Sequence, residues 1–244
     1  MAFVTGASQG LGAEIAVALA RDGCDVAVSS RRVEKLSDTL GRIEAAGARG
    51  APVELDVRSQ SAMERAVAEV VSAFGRVDIL VNNAAVTLRR TALEMTREEW
   101  DEVMAVNLKG SFFMAQQVGR HLIAGRRPGC IVSLASTHGL VGYPQRAAYG
   151  IAKAGIIQMT RMLAIEWAAH DIRVNAVAPA TVMTPSRMAM LADPAQRDSM
   201  LARIPARRFP LAAEIAAAVA YLGGPESASV TGQVLAVDGG LTAC

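Results

Sequence analysis

Three cysteines, three histidines and three lysines are spread over 244 residues, which leaves several classes of chemistry with little material. Cys24, Cys130 and Cys244 form no C-x-x-C pair and are odd in number, which argues against a disulfide scaffold and for a reduced compartment. His121, His138 and His170 have no metal-ligand spacing, so no metal is expected. The formal net charge is +2, with acids and bases scattered along the chain. That pattern offers no basic stripe for nucleic acid and favours a small-molecule partner. No apolar run reaches the roughly 18–20 residues a membrane helix needs, so no membrane partner is expected. The first twenty residues have no basic n-region and are interrupted by Glu14, glycine and serine, which predicts a cytoplasmic protein rather than a signal peptide. Linkers, charge blocks and repeats are also missing. With 52% hydrophobic residues, a single domain over 1–244 is the expectation.

What is present is alternation. Apolar, β-branched runs at 2–5, 25–29, 51–55, 77–81, 130–134, 173–176 and 233–237 read as strands. Helical spacing fills 11–21, 33–46, 61–74, 97–121, 147–169 and 211–222 between them. The order implies an α/β protein of the Rossmann type, a doubly wound seven-stranded parallel sheet with helices on both faces. Ligands of such a sheet bind beyond the carboxyl ends of its strands. The stretch 181–210, with Pro185, Pro194, Pro205 and Pro210, is read either as a substrate lid or as a surface excursion whose Met188, Met190 and Met200 pack on the core.

Between the first strand and the first helix lies Thr5-Gly6-Ala7-Ser8-Gln9-Gly10-Leu11-Gly12. In that context Gly6 suits a tight turn, Gly10 a close backbone approach to pyrophosphate, and Gly12 close packing of helix on strand. Amides at the helix start then face phosphates. The spacing G-x-x-x-G-x-G differs from the general G-x-G-x-x-G fingerprint, so strand–turn–helix context carries the reading. An acid that binds ribose is expected about 20 residues further on. Ser30 stands there instead, followed by Arg31 and Arg32, which suit a phosphate through charge-assisted, bidentate hydrogen bonds. NADP is therefore the favoured cofactor, with NAD as the alternative. A solvated helix start is the plain explanation of the two arginines.

Tyr149 and Lys153 stand at i and i+4 on one helix face. A phenolate serving near neutral pH needs its pKa lowered by about two to three units from the free value near 10, and an adjacent ammonium supplies the right field. Such pairs also arise by chance on solvated helices. Here the other lysines are Lys35 and Lys109, so a lysine-rich surface does not explain this one. Ser136, just after the fifth strand, is placed to hold a substrate oxygen.

With the glycine turn, Asn82-Asn83-Ala84-Ala85, Asn107, Ser136 and Tyr149/Lys153 in this order, the chain resembles the short-chain dehydrogenase/reductase family. The resemblance runs essentially end to end, through Asn175-Ala176-Val177-Ala178-Pro179 and Val237-Asp238-Gly239-Gly240. It implies a catalytic tetrad: Tyr149 as general acid/base, Lys153 lowering its pKa and binding ribose, Ser136 orienting substrate, and Asn107 holding a proton-relay water. It also implies a cofactor site of Gly6, Ser8, Gln9, Gly10, Leu11, Gly12, Ser30, Arg31 and Arg32. Asp56 and Val57 join it at the adenine, Asn83 and Ala84 in support, Tyr149, Lys153, Pro179, Val182 and Thr184 toward the nicotinamide. For Asn82 and Asn107 the alternative is side chains that satisfy local backbone.

Some positions depart from the family. Ala85 and Ala180 stand where glycine is usual, and Gln9 where NADP-preferring members often carry a basic residue. The first strand starts almost at Met1, and a natural start upstream is left open.

The implied reaction is hydride transfer between nicotinamide and a carbonyl or alcohol substrate, with Tyr149 moving the proton. His138 and Tyr143, with Ser136 and Tyr149, are the expected substrate-pocket residues. Arg89, Arg90 and Arg146 are read either as anchors for a carboxylate or phosphopantetheine-linked acyl group, or as surface charge. The motifs are similar to both 3-oxoacyl carrier-protein reductases and polyol or sugar-acid dehydrogenases. The other classes are a catalytically silent nucleotide-binding scaffold or sensor, and a dehydratase or epimerase. A homotetramer, with 97–121 and 147–169 at an interface, is the implied assembly.

Overall fold

The computed structural model describes residues 1–183 and 193–243. Thr184, Pro185, Met188, Met190 and Cys244 lie outside the described residues. Strands β1 (Ala2–Val4), β2 (Val26–Ser30), β3 (Gly50–Glu54), β4 (Ile79–Asn82), β5 (Gly129–Leu134), β6 (Ile172–Pro179) and β7 (Val234–Val237) form one sheet in the order β3-β2-β1-β4-β5-β6-β7. Every pairing is parallel, as the alternation of strands and helices predicts. Strand order reverses at β1, so the crevice between the carboxyl ends of β1 and β4 is the natural ligand position.

Helices α1 (Gly10–Arg21), α2 (Ser37–Ala45) and α8 (Ala212–Gly223) cover one face. Helices α3 (Gln60–Phe74), α5 (Ser111–Ala124) and α6 (Ala147–Trp167) cover the other. Strands β1, β2, β4, β5 and β6 are mainly apolar on both sides because both sides are buried, whereas the edge strands β3 and β7 are only partly covered. Ala2 and Val4 pack with Ile15, Leu19, Ile215 and Val219, whereas Phe3 points the opposite way toward Met63, Met114 and Ile156. Each fully buried aliphatic or aromatic side chain contributes roughly 1.5–3 kcal/mol.

The structure departs from the predicted elements in four places. The segment 97–121 is α4 (Arg97–Met104), a π-helical turn over Ala105–Gly110, and then α5. Hydrophobic spacing does not register the π turn, because it adds backbone rather than changing which face is apolar. The start of 33–46 is a 3₁₀ turn, Val33–Leu36, which follows a tight exit from β2 where Ser30 Oγ accepts the Arg32 amide. Strand β6 runs on to Pro179, three residues past its predicted end, alongside β7. Finally, α7 (Pro194–Ala202) lies in the stretch read as broken by prolines. Pro194 begins this helix instead of ending one, and Asp193 caps it by accepting the Ala195 amide at 3.0 Å.

Candidate active site

The glycine turn leaves β1 with Gly6 at φ +66 and Gly10 at φ +62, a region unfavourable to other L residues. Gly12 has a different reason. A Cβ there would lie 2.5 Å from both Asn83 Nδ2 and the Gly6 carbonyl, so nothing larger fits between turn and helix. Asn83, just beyond β4, donates Nδ2 to the Thr5 and Gly6 carbonyls, each at 2.9 Å. Thr5 Oγ1 accepts the Asn83 and Ala84 amides in return. The loops after β1 and β4 are thus sewn together at the crevice.

A cleft of about 820 Å³ opens above this seam. Its floor is Gly6, Ser8, Gln9, Gly10, Leu11 and Gly12. Ser30, Arg31 and Arg32 line one side, Asp56 and Val57 another, and Asn83 and Ala84 the seam. Arg31, Arg32 and Lys35 are exposed at its rim, and among the described residues none of them forms an ion pair. Arg58 also lines the cleft and is already engaged, at 2.6 Å from Asp56 and 3.0 Å from Glu102. Hydrogen bonding from Arg58, helped by the positive field of Arg31, holds the Asp56 carboxyl below its usual range. Lys35 and Arg58 were not singled out from the sequence. The only signal was proximity, since Arg58 stands two residues beyond Asp56 and Lys35 three beyond Arg32.

Pro179, Val182, Tyr149 and Lys153 are not part of that cleft wall. Val182 is buried with the side chains of the α1 face, and Pro179 ends β6. Tyr149 and Lys153 lie one turn apart in α6, with Lys153 Nζ 5.7 Å from the Tyr149 ring centre. Lys153 is buried and donates to the carbonyl of Leu134, the last residue of β5. Loss of hydration on burial pulls its pKa down to about 8.

Beyond β5, Ser136 caps the short turn Thr137–Gly139 by accepting the His138 amide at 3.2 Å. This turn is pressed onto α6. A Cβ at Gly139 would meet the Lys153 backbone at 2.7 Å, and one at Gly150 would meet the His138 carbonyl at 2.9 Å. Two glycines therefore set how closely Ser136 and His138 approach the Tyr149–Lys153 turn, a signal in the sequence that went unread. The His138 ring packs edge-on against Tyr149 at 5.9 Å and against Tyr143 at 4.9 Å between ring centres.

Asn107 sits in the π turn, fully buried. Its Nδ2 donates to the Val86 carbonyl at 2.9 Å and its Oδ1 accepts the Val86 amide at 2.8 Å. Asn82 donates to the Ser111 carbonyl. Both side chains satisfy backbone, and in the case of Asn107 the backbone satisfied is the loop that continues the cleft. Asn175 ties β6 to the approach of β7 through Val230 and Gln233. Of the three arginines read as possible anchors, Arg90 pairs with Glu99 at 2.6 Å, and Arg146 is buried with a guanidinium hydrogen bond to the Leu88 carbonyl at 3.1 Å. Arg89 remains exposed.

The carboxyl edge of this sheet thus brings together a phosphate-sized glycine cradle, a basic rim, and a buried lysine beside a tyrosine. The chain belongs to the short-chain dehydrogenase/reductase family of NAD(P)-dependent oxidoreductases, with residues 6–242 matching the family model described as enoyl-(acyl carrier protein) reductase. Among its relatives, a 2-dehydro-3-deoxy-D-gluconate 5-dehydrogenase of Escherichia coli is 37% identical over 240 residues, covering 98% of this chain and 94% of the relative. A 3-oxoacyl-[acyl-carrier-protein] reductase of Thermotoga maritima is 38% identical over 239 residues, covering 98% and 96%. Among solved structures, a gluconate 5-dehydrogenase from Burkholderia cenocepacia, in complex with NADP and tartrate, superposes with a TM-score of 0.94 at 32% identity, covering 100% of this chain and 95% of that one.

Proposed function

We propose that this chain, as one nucleotide-binding domain over 1–244, catalyses reversible NADP-dependent reduction of a carbonyl to a secondary alcohol. The observation that carries the reading is the Tyr149–Lys153 turn of α6, held under the Ser136 loop at the same sheet edge as the glycine cleft. The residues present fit a dinucleotide. Gly12 admits no Cβ, residues of the turn at the start of α1 line the cleft, and Arg31, Arg32 and Lys35 offer cations at its rim for a ribose phosphate. When bound, the cofactor supplies or accepts the hydride.

The chain's own groups handle the proton and the geometry. Ser136 donates a hydrogen bond to the substrate oxygen and orients it. Tyr149 gives that oxygen its proton in reduction and removes it in oxidation. Lys153, charged below its pKa of about 8, lowers the proton affinity of the phenol and offers its remaining N–H groups to the nicotinamide ribose. Asn107 fixes the loop at Val86 and would hold a proton-relay water; His138 and Tyr143 wall the substrate space. Pro179, Val182 and Thr184 are assigned to the nicotinamide side by family pattern.

NADP over NAD is supported by Ser30 in place of an acid and by the two arginines that follow it, which form no ion pair among the described residues. The similarity to a solved relative that holds NADP points the same way. A homotetramer in the cytoplasm is the proposed assembly. Its support is the apolar exposure of Phe112 on α5 and of Ile151, Met162 and Ile165 on α6. Among the described residues no helix is long and apolar enough to cross a membrane. The test is a nicotinamide absorbance screen with both coenzymes, against carbonyls in one direction and alcohols and sugar acids in the other. NADPH-linked turnover is expected; cofactor binding without turnover on any member of the panel would shift the reading to a silent nucleotide-binding scaffold.

A further inference from the structure

Beyond α7 the chain turns back toward the sheet, and Arg203 stands at the C-cap of that helix. Its position is fixed on both sides. Ile204 is buried with Phe209, Met183, Met200 and Leu241, and the Ala206 amide donates to the Gly239 carbonyl at 3.0 Å. The Gly239–Gly240 turn is itself held by Asp238. Burial alone would raise that carboxyl's pKa, yet hydrogen bonds from Thr242 and the Gly240 amide outweigh it and keep it below the usual range.

From this mount the Arg203 guanidinium lies over the Tyr143 ring, 5.1 Å from its centre. Tyr143 meets His138, and His138 meets Tyr149. A guanidinium, a phenol, an imidazole and the phenol of Tyr149 thus follow one another, each within ring-contact distance of the next. A guanidinium held over a ring through its central carbon still carries N–H groups able to form a two-pronged bond with a carboxylate. Neighbouring cations are engaged already: Arg207 with the Ala202 carbonyl at 3.1 Å, Arg208 with Glu214 at 2.6 Å, and Arg90 and Arg146 as described. Among the described residues no acceptor takes a hydrogen bond from the Arg203 guanidinium.

We infer that Arg203 is a specificity-determining residue that binds the carboxylate of a compact hydroxy or oxo acid, whose reacting carbon then lies at Tyr149. The inference rests on the hydride-transfer reading and narrows its substrate class. A carrier-linked acyl chain places its phosphate at the far end of a long arm, away from a cation held over the Tyr143 ring, and so does not fit this role.

The experiment is calorimetric titration of the NADPH-loaded enzyme, where cofactor and ligand are both reduced and no hydride can pass, with aldonates of four to six carbons, each paired with its neutral alditol. Wild type is expected to bind one of the acids at least tenfold more tightly than its alditol. Arg203→Ala should abolish that ratio while leaving NADPH affinity within twofold, and Arg203→Lys should recover part of it. Equal binding of acids and alditols by wild type overturns the inference without recourse to any variant, as does an undiminished ratio in Arg203→Ala. Because the readout is binding, it is separate from turnover. Absence of nicotinamide chemistry with every substrate would sink the hydride-transfer reading, whereas turnover with no acid preference would sink the Arg203 assignment alone.

Discussion

The proposed cofactor and substrate halves of the candidate site are built from different materials. The cofactor half is mainly backbone: glycine-permitted turns, carbonyls of Thr5 and Gly6 bound by Asn83, and amides gathered by Thr5 Oγ1. The substrate half is side chain on side chain, with Arg203, Tyr143, His138 and Tyr149 contributed by the ends of α7 and α6 and the loop between β5 and α6. A backbone cradle tolerates few residue types, since one added Cβ at Gly12 would collide with Asn83 and the Gly6 carbonyl that shape the turn. A wall of packed rings and cations can be made in many ways, so it is the half free to vary with substrate.

The sharpest way to separate the halves is Tyr149→Phe. Removing one hydroxyl should lower turnover by about 10³–10⁴-fold, the upper range for a positioned acid/base group. NADPH affinity, measured by nicotinamide fluorescence, should stay within twofold. A variant that loses both together would mean that the two halves do not act separately. Next in size is the double change Arg31→Ala/Arg32→Ala. Each charge-assisted hydrogen bond is worth roughly 1.5–3 kcal/mol, so the NADP-over-NAD preference in kcat/KM should fall about 100-fold with NAD-linked turnover unaffected. Unchanged preference would move the phosphate contact to Lys35 or remove it.

Those differences in material also explain which parts could be read from sequence. Gly6, Gly10 and Gly12, Asn83 and the Tyr149–Lys153 pair stand at fixed spacings because backbone geometry or one helical turn requires it, so a linear pattern records them. Arg203 is recorded nowhere in a local pattern, and Arg58 only by standing two residues beyond Asp56; the full setting of each is tertiary. The first depends on how α7 returns to the sheet and on the Asp238 turn; the second on Glu102, brought near from α4. Of Arg89, Arg90 and Arg146, read either as anchors or as surface charge, the last two are engaged by Glu99 and the Leu88 carbonyl, which only tertiary packing brings to them. Elements were legible where apolar period and length agreed. The π turn and α7 were missed because one preserves the apolar face and the other begins with a residue usually read as a stop.

Asn107 joins the halves, and its removal should show as stability before it shows as chemistry. Asn107→Ala leaves the Val86 amide and carbonyl without their partners in a part-buried setting. A cost of about 1–3 kcal/mol follows. For a chain of this size that corresponds to a melting temperature lower by roughly 2–4 °C per kcal/mol, measured by calorimetry without cofactor. No change in melting would show that the clamp carries no net stability.

The smallest effect is a slope in stability with pH, and it sets two buried titratable groups against each other. Lys153 has its pKa pulled down to about 8 by burial, from an ordinary value of 10.5. Between those values the unfolded chain carries the proton and the folded chain does not, so stability rises with pH. Cys130, buried beneath α8 with its thiol on the Leu222 carbonyl, is pushed the other way, up to about 11 from 9.0. From pH 9 to 11 the folded chain retains that proton while the unfolded one loses it, so this group makes stability fall. Between pH 8 and 9 only the lysine acts strongly, and the gain should be about 1 kcal/mol before the thiol levels it off. Denaturant midpoints of the cofactor-free protein would read it. Lys153→Met should flatten the rise below pH 9, and Cys130→Ala should extend it above. A rise that survives in Lys153→Met would place the titrating proton elsewhere and remove the basis for treating Lys153 as a charge held against its own desolvation beside Tyr149.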